Sequence, residues 1–234
     1  MNRFSSITMG MKDALPIVLG IVPIGLAYGL LGQQAGLSFW VVLGLSLFVF
    51  AGASQFIAIS MFLGGAEPVL IVGTTFIVNF RHLLMSAAIA PRLKSWTVRQ
   101  RLMMGSMLTD ESFAVHSARF ARNDVNPAAA ITLNIIIYLV WAAAGVAGFH
   151  LGPLIARPEA WGLDFALPAM FIGLLLPICT NRPAAIAAVC GGATSALFHL
   201  LGLGRWGVFI GALVGATVGV AIKQETKDEE THLG

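Results

Sequence analysis

The feature that most constrains this chain is the length of its uncharged stretches. No Asp, Glu, Lys or Arg occurs from Ala14 to Ala66. Further charge-free stretches follow at 68–80, 127–156, 165–181, 183–204 and 206–222. A helix needs about 20 mainly apolar residues to cross about 30 Å of hydrocarbon, and it satisfies its own backbone hydrogen bonds there. The pattern therefore predicts an all-α, polytopic integral membrane protein.

Composition excludes the water-soluble classes. Hydrophobic residues make up 57% of the 234 residues and charged residues 11%, whereas a soluble domain carries about 25% charged residues. Too few polar side chains are present to cover a water-exposed surface. The basic pI of about 9.2 is therefore not evidence for a soluble DNA-binding domain, and a soluble enzyme is excluded as well.

The apolar stretches divide the chain into about seven crossings, within a range of six to eight. The candidate spans are 14–31, 39–63, 68–91, 103–118, 127–149, 161–179, 183–201 and 205–222. The fourth is short and polar, which favours a broken or re-entrant segment. We expect one transmembrane domain over 1–222 and a charged, flexible tail over 223–234.

Two proline-bearing segments suggest an internal two-fold repeat. LPIVLGIVPIG in the first span and LPAMFIGLLLPIC in the sixth are weakly alike, and duplicated transporters carry paired, interrupted spans. The corresponding halves would be 12–122 and 127–222. The alternative is a chance likeness between apolar segments.

Glycine recurs at every fourth position of the last span. Gly207, Gly211, Gly215 and Gly219 line one helix face, which lets a second helix approach closely. Internal packing is the simpler interpretation, and a face for a partner protein is the alternative.

The third span carries polar and ionisable side chains near its middle. Thr75, Asn79, His82 and Ser86 share one helical face, and Arg81 points away from it. Because a charge in hydrocarbon is costly, Arg81 must snorkel, pair with an acid, or lie where the helix is unwound. A hydrogen-bonded stripe between helices is the structural alternative.

The fourth segment contains two adjacent acids, Asp110 and Glu111. Read as one helix, it would place Ser106, Asp110 and Ser117 on one face. The apolar flanks favour a segment that dips into the protein, and an interfacial helix or loop is the alternative.

Two further patterns carry polar groups into apolar spans. Residues 50–56 read FAGASQF, in which Gly52, Ser54 and Gln55 could serve a ligand or close helix packing. Asn134, Tyr138 and Trp141 follow i, i+4 and i+7, the spacing of a polar seam or a substrate wall.

The chain resembles the AzlC family at FAGASQF (50–56), VNFRHLLMS (78–86) and LTDESFA (108–114). The resemblance implies the large subunit of a two-component exporter of branched-chain amino acids, in the bacterial inner membrane. It also implies export of methionine as a further substrate, a separate small AzlD-type membrane subunit, the proton gradient as driving force and no cofactor.

The chemistry of a zwitterionic substrate then selects residues. Its carboxylate needs Arg81 or helix N-terminal amides, and its ammonium needs an acid or carbonyls near Gly52. The predicted substrate-binding residues are Gly52, Ser54, Gln55, Asn79, Arg81 and Asn134. The predicted proton-coupling residues are His82, Asp110 and Glu111, since neighbouring acids in low dielectric share protons.

Two other classes compete with a carrier. An intramembrane serine protease would use Ser54 as nucleophile, with His82, His116 or His199 as base. A channel or a structural membrane subunit is the third class. Cys179 and Cys190 show no metal-ligand spacing, so we expect no metal. The resemblance to a transporter family implies that the protein is not an enzyme.

Overall fold

The computed structural model describes residues 3–154 and 182–232, together with residues 172 and 179. These residues form helices and turns, with no β-strand among them. The α-helices are α1 (Arg3–Gln34), α2 (Phe39–Gly44), α3 (Gly52–Leu63), α4 (Pro68–Ile89), α5 (Val98–Ser106), α6 (Asp110–Ala121), α7 (Pro127–Leu151), α8 (Arg182–Leu200) and α9 (Gly204–His232). A π-helical turn follows α2 (Leu45–Val49), and 3₁₀ turns follow α4 (Ala90–Leu93) and α7 (Gly152–Leu154).

Four of the described helices are long and apolar enough to cross a membrane. They are Phe4–Gln34, Pro68–Leu93, Pro127–Leu151 and Arg182–Leu200. Shorter apolar helices lie at Phe39–Val49, Gly52–Leu63 and Trp206–Ile222. The predicted all-α, polytopic class is confirmed. The predicted span at 161–179 lies outside the described residues, apart from residues 172 and 179.

Two predicted spans are broken. The span at 39–63 divides into α2 and α3, with the π-helical turn between them. The segment at 103–118 divides into α5 and α6, because Thr109 caps α6: its side chain accepts from the Ser112 N–H, and the Ser112 hydroxyl accepts from the Thr109 N–H. The one-helix reading of that segment is wrong, so Ser106 shares no helix face with Asp110.

The C-terminal segment is helical as far as residue 232, since α9 continues to His232. The flexibility predicted for 223–234 stays a prediction. Lys, Gln and Glu, which dominate KQETKDEETH, are strong helix formers, so an established helix can continue through them.

Contacts group the described residues into two units. One unit lies within Met1–Gln55 and Asn79–Ala156, and the other within Phe56–Val78 and Arg157–Gly234. Each unit therefore draws on separate stretches of chain. The sequence halves 12–122 and 127–222 stay a prediction.

In the first unit, α1 and α7 pack through small residues. A Cβ added at Gly29 would collide with the carbonyl oxygen of Gly145, and one at Gly148 with that of Leu26. Lipid tails are as apolar as leucine, so helices in a membrane associate by such close backbone approach. The glycines of α1 and α7 therefore fix how the two helices cross.

In the second unit, the glycine face of α9 lies against α8. A Cβ at Gly211 would lie 2.6 Å from the carbonyl oxygen of Gly191, and one at Gly215 3.0 Å from that of Ala187. A Cβ at Gly207 would likewise lie close to Ser195, and one at Gly219 close to Ala187. A helix of the same chain thus occupies this face.

Candidate functional site

The break in the second span exposes backbone groups inside the first unit. Phe50 adopts the left-handed conformation, with φ 43° and ψ 47°, which is unfavourable for a bulky residue. The chain has two tyrosines, and both support this segment. The Tyr28 hydroxyl donates to the Val42 carbonyl at 2.8 Å, and the Tyr138 hydroxyl donates to the Leu47 carbonyl at 3.0 Å.

The start of α3 is clamped by hydrogen bonds. The Ser54 hydroxyl donates to the Ala51 carbonyl at 3.0 Å. Gln55 accepts from Trp141 Nε1 at 2.9 Å and donates to the Ser46 hydroxyl at 3.5 Å. Ser54 and Gln55 are fully buried.

Both predicted ligand side chains in FAGASQF are therefore already paired. The groups left for a ligand are the N–H groups of the first turn of α3, from Gly52 to Ser54, because the first amides of a helix have no acceptor within that helix.

Gly52 is needed for close packing. A Cβ at this position would lie 3.1 Å from Cη2 of Trp141, whose ring also stacks on Tyr28 with centroids 5.9 Å apart. The predicted stripe on α7 forms a polar seam: Tyr138 and Trp141 reach the broken span, and Asn134 reaches α5 and α6.

Arg81 is paired with an acid. Its Nη1 lies 2.9 Å from Oδ2 of Asp110, and the two side chains are 27% and 48% exposed. Asp110 and Glu111 lie in the first turn of α6, where the helix dipole favours acids. Of the three options that the sequence leaves for Arg81, the structure shows pairing.

The neighbours of Arg81 on α4 are less exposed to water than the acids. His82 Nδ1 donates to the Asn79 carbonyl at 3.1 Å. The Asn79 Oδ1 and the Arg81 Nε are buried and have no hydrogen-bond partner among the described residues. Glu111 is exposed. The charges of Arg81, Asp110 and Glu111 lie close enough to act on His82.

A second polar group lies deeper in the first unit. His116 Nε2 donates to Asn134 Oδ1 at 2.8 Å, and Asn134 Nδ2 donates to the Met104 carbonyl at 3.4 Å. Burial lowers the pKa of His116 from its ordinary value of 6.5, and the hydrogen bond to Asn134 partly offsets this. Asn134, predicted to bind substrate, is thus held between α5 and α6.

An ion cluster lies one turn further along α6. Arg119 contacts both Asp13 of α1 and Asp124, which follows α6. Sequence reasoning missed this cluster, because Asp13 and Arg119 are far apart in the chain. The available signal was that Asp13 and Asp124 each lie just before a long charge-free stretch.

The described part of the chain does not favour the protease interpretation. Ser54 donates to the Ala51 carbonyl just before α3, while His82 and His116 are bonded to Asn79 and Asn134. No group of three or more His, Cys, Asp or Glu that could hold a metal occurs among the described residues.

A separate groove lies within the second unit. It has a volume of about 980 Å³, and its polar lining includes Ser60, Ser195 and His199. The predicted site residues do not line it.

Comparison with known proteins finds relatives that are named as membrane or transport proteins. The chain is 31% identical over 217 residues to an uncharacterized membrane protein of Archaeoglobus fulgidus, covering 92% of this chain and 94% of that protein. It is 27% identical over 181 residues to the branched-chain amino acid transport protein AzlC of Bacillus subtilis, covering 75% and 70%. It is 29% identical over 174 residues to the inner membrane protein YgaZ of Escherichia coli, covering 71% of each. No solved structure matches the chain.

Residues 16–155 match the family described as AzlC protein. That range contains the broken second span, the Arg81–Asp110 pair and the His116–Asn134 pair. The chain belongs to the AzlC family.

Proposed function

We propose that this protein exports branched-chain amino acids, and methionine as a further hydrophobic substrate, across a bacterial inner membrane. It would act as the large subunit beside a small AzlD-type membrane subunit, without enzymatic activity and without a cofactor. The family match and the B. subtilis relative, whose name specifies branched-chain amino acid transport, support this proposal.

The Arg81–Asp110 ion pair is the observation that carries the proposal. A free amino acid is a zwitterion with one charge of each sign. It can insert between the two side chains, with its carboxylate on Arg81 and its ammonium on Asp110, and leave the net charge of the site unchanged. Both side chains are partly exposed, so a ligand can reach them. Arg81 is suited to the task because guanidinium binds carboxylate in two-pronged geometry.

The broken second span adds a second binding element. Interrupted helices supply ligand groups in many transporters, since their ends present free amides and carbonyls. In this scheme Gly52 keeps the backbone accessible, whereas Ser54, Gln55 and Asn134 shape the site by holding the helix ends in place. Asn79 supplies a side-chain oxygen that has no hydrogen-bond partner within the described part of the chain. Apolar side chains around these groups would accept the aliphatic tail.

Export would be driven by protons. Asp110 and Glu111 are exposed and can exchange protons with water, and His82 lies within reach of their charges. These three residues are therefore our candidates for proton entry.

Efflux of preloaded leucine tests the function. We expect efflux from cells that express this chain with an AzlD-type subunit, little efflux with either protein alone, and collapse on addition of a protonophore. Efflux that saturates with substrate would distinguish a carrier from a channel. No efflux with both proteins present in the membrane would contradict the proposal.

The two acids are tested in the same assay. Replacement of both (Asp110→Asn with Glu111→Gln) should abolish export, because the ammonium and the proton lose their carboxylates. The matched control is Glu67→Gln, an exposed acid in the turn before α4, which should export normally. Unchanged export by the double variant would remove the acids from the mechanism.

A further inference from the structure

One buried ionisable side chain of the first unit has no part in the scheme above. His116 is 1% exposed. Its Nε2 is fixed by Asn134, whose own amide nitrogen is held by the Met104 carbonyl. Its Nδ1 is buried and has no hydrogen-bond partner among the described residues. The ring is therefore held in one orientation and one tautomer, with one nitrogen free to accept a proton.

The charges around His116 come from two elements. Arg119 of α6 disfavours a proton on the ring, and Asp13 of α1 favours it. Arg119 is itself bonded to Asp13 and Asp124. The contacts from α5 and α7, Met104 and Asn134, are uncharged.

Counted together, Arg119, Asp13 and Asp124 carry +1 − 2 = −1. A proton on His116 would bring the group to neutrality. Asp13 and Asp124 are partly exposed, at 30% and 41%, so the carboxylates of this cluster are accessible from outside the protein.

We propose that His116 is a proton-carrying residue of the export cycle, binding and releasing the coupled proton at Nδ1. This inference rests on the proposed function. The ring lone pair takes a proton from water and imidazole becomes imidazolium; release returns the same proton to water. A buried imidazolium is costly, so the protonated ring favours a state in which α6 separates from α7 and the ring is hydrated. Proton binding is thereby tied to a conformational change.

Burial distinguishes His116 from the acids at the proton entry. Asp110 and Glu111 are exposed, whereas the His116 ring is enclosed by protein. Only a group whose access to water changes can link a proton to the direction of transport.

The test uses the chain co-reconstituted with its small subunit in vesicles, with leucine as probe. Two reactions are compared: leucine exchange at equal pH on both sides, and leucine accumulation driven by an imposed pH gradient. The variant His116→Gln keeps a donor for Asn134 but cannot carry a proton. We expect exchange within about threefold of the wild type and loss of gradient-driven accumulation. His150→Gln, at an exposed histidine near the end of α7, should retain both reactions.

A second variant tests the same site without removing the histidine. Asn134→Asp places a carboxylate against Nε2–H, which stabilises imidazolium. The pH at which gradient-driven transport is half-maximal should rise by about one unit or more. An unchanged pH profile would overturn the inference.

The remaining outcomes separate the two proposals. Normal accumulation by His116→Gln, or loss of both reactions from a protein that elutes as a folded complex, would overturn the role of His116. Absence of leucine exchange in the wild type would overturn the proposed function itself.

Discussion

Gln55 illustrates, at the scale of single residues, how a membrane protein uses a buried polar side chain. Its side-chain amide makes two hydrogen bonds. The oxygen accepts from Trp141 of α7, and the nitrogen donates to Ser46 of the π-helical turn. An unpaired amide in an apolar interior costs several kcal/mol at most and about 1–3 in typical proteins. Pairing therefore makes Gln55 a structural tie between α3, α7 and the π-helical turn.

His116 leads to a prediction about pH and stability. Because burial lowers the pKa of the folded-state ring below 6.5, the unfolded chain binds a proton that the folded chain does not. The neutral His116 ring therefore makes its full contribution to the free energy of unfolding above about pH 6.5. This contribution is lost as the pH falls below 6.5. The loss is limited to about 1.4 kcal/mol per pH unit for one proton.

Thermal unfolding in detergent checks this sign. The unfolding temperature of the wild type should fall between pH 7 and pH 5.5, and that of His116→Gln should fall less. Equal slopes in the two proteins would show that His116 titrates alike in the folded and unfolded chain.

At the scale of the helix, small residues decide where helices meet. Gly29 faces the Gly145 carbonyl across the α1–α7 contact, whereas an added Cβ at Gly20 of the same helix would have no heavy atom of the described residues within 4 Å. Large apolar side chains such as Leu15 and Leu19 are instead exposed, as expected where the surroundings are lipid.

This contrast predicts a difference between two alanine substitutions. Gly29→Ala should destabilise the protein by about 1–3 kcal/mol or more, because the backbones must separate. Gly20→Ala should change stability little, since its methyl group would contact none of the described residues. Melting temperatures of the two variants in the same detergent measure the difference, and similar values would argue against tight α1–α7 packing.

The break between α2 and α3 costs conformational energy at Phe50, and hydrogen bonds from two tyrosines stabilise it. A left-handed Phe50 is unfavourable by about 1–3 kcal/mol. Hydrogen bonds from Tyr28 and Tyr138 to freed carbonyls replace part of the lost helix bonding. Strain of this kind is typical of functional sites, which agrees with a binding role for the first turn of α3.

At the scale of the whole molecule, the basic residues that follow α4 predict its orientation in the membrane. Arg92, Lys94, Arg99 and Arg101 lie close together after the third predicted span, and such loops stay on the cytoplasmic side. α4 has 22 residues, about 33 Å at 1.5 Å per residue, so its two ends should face opposite sides of the membrane.

Cysteine labelling tests this orientation. In a background of Cys179→Ser and Cys190→Ser, Lys94→Cys should react with an impermeant thiol reagent only from the cytoplasmic side. Glu67→Cys, at the other end of α4, should react only from outside; both positions are exposed. Labelling of both from one side would exclude α4 as a crossing.

Much of the fold can be predicted from the sequence. The thickness of the hydrocarbon and the rise of a helix determine the length of an apolar span, and α4, α7 and α8 lie close to their predicted bounds. The four-residue spacing of glycines predicts a packing face on α9. The break at residues 107–109 agrees with the broken segment that the short, polar fourth stretch predicts. The break at residues 50–51 was not predicted, because it depends on hydrogen bonds from the distant residues Tyr28 and Tyr138.

Local composition and period are therefore enough to identify the apolar helices and the polar residues that they contain. Which polar groups meet depends on the packing of the helices. Trp141 with Gln55, His116 with Asn134, and Arg119 with Asp13 are pairs between different helices. Their formation depends on how those helices cross and rotate, which is a property of packing between segments far apart in the chain and not of either segment alone.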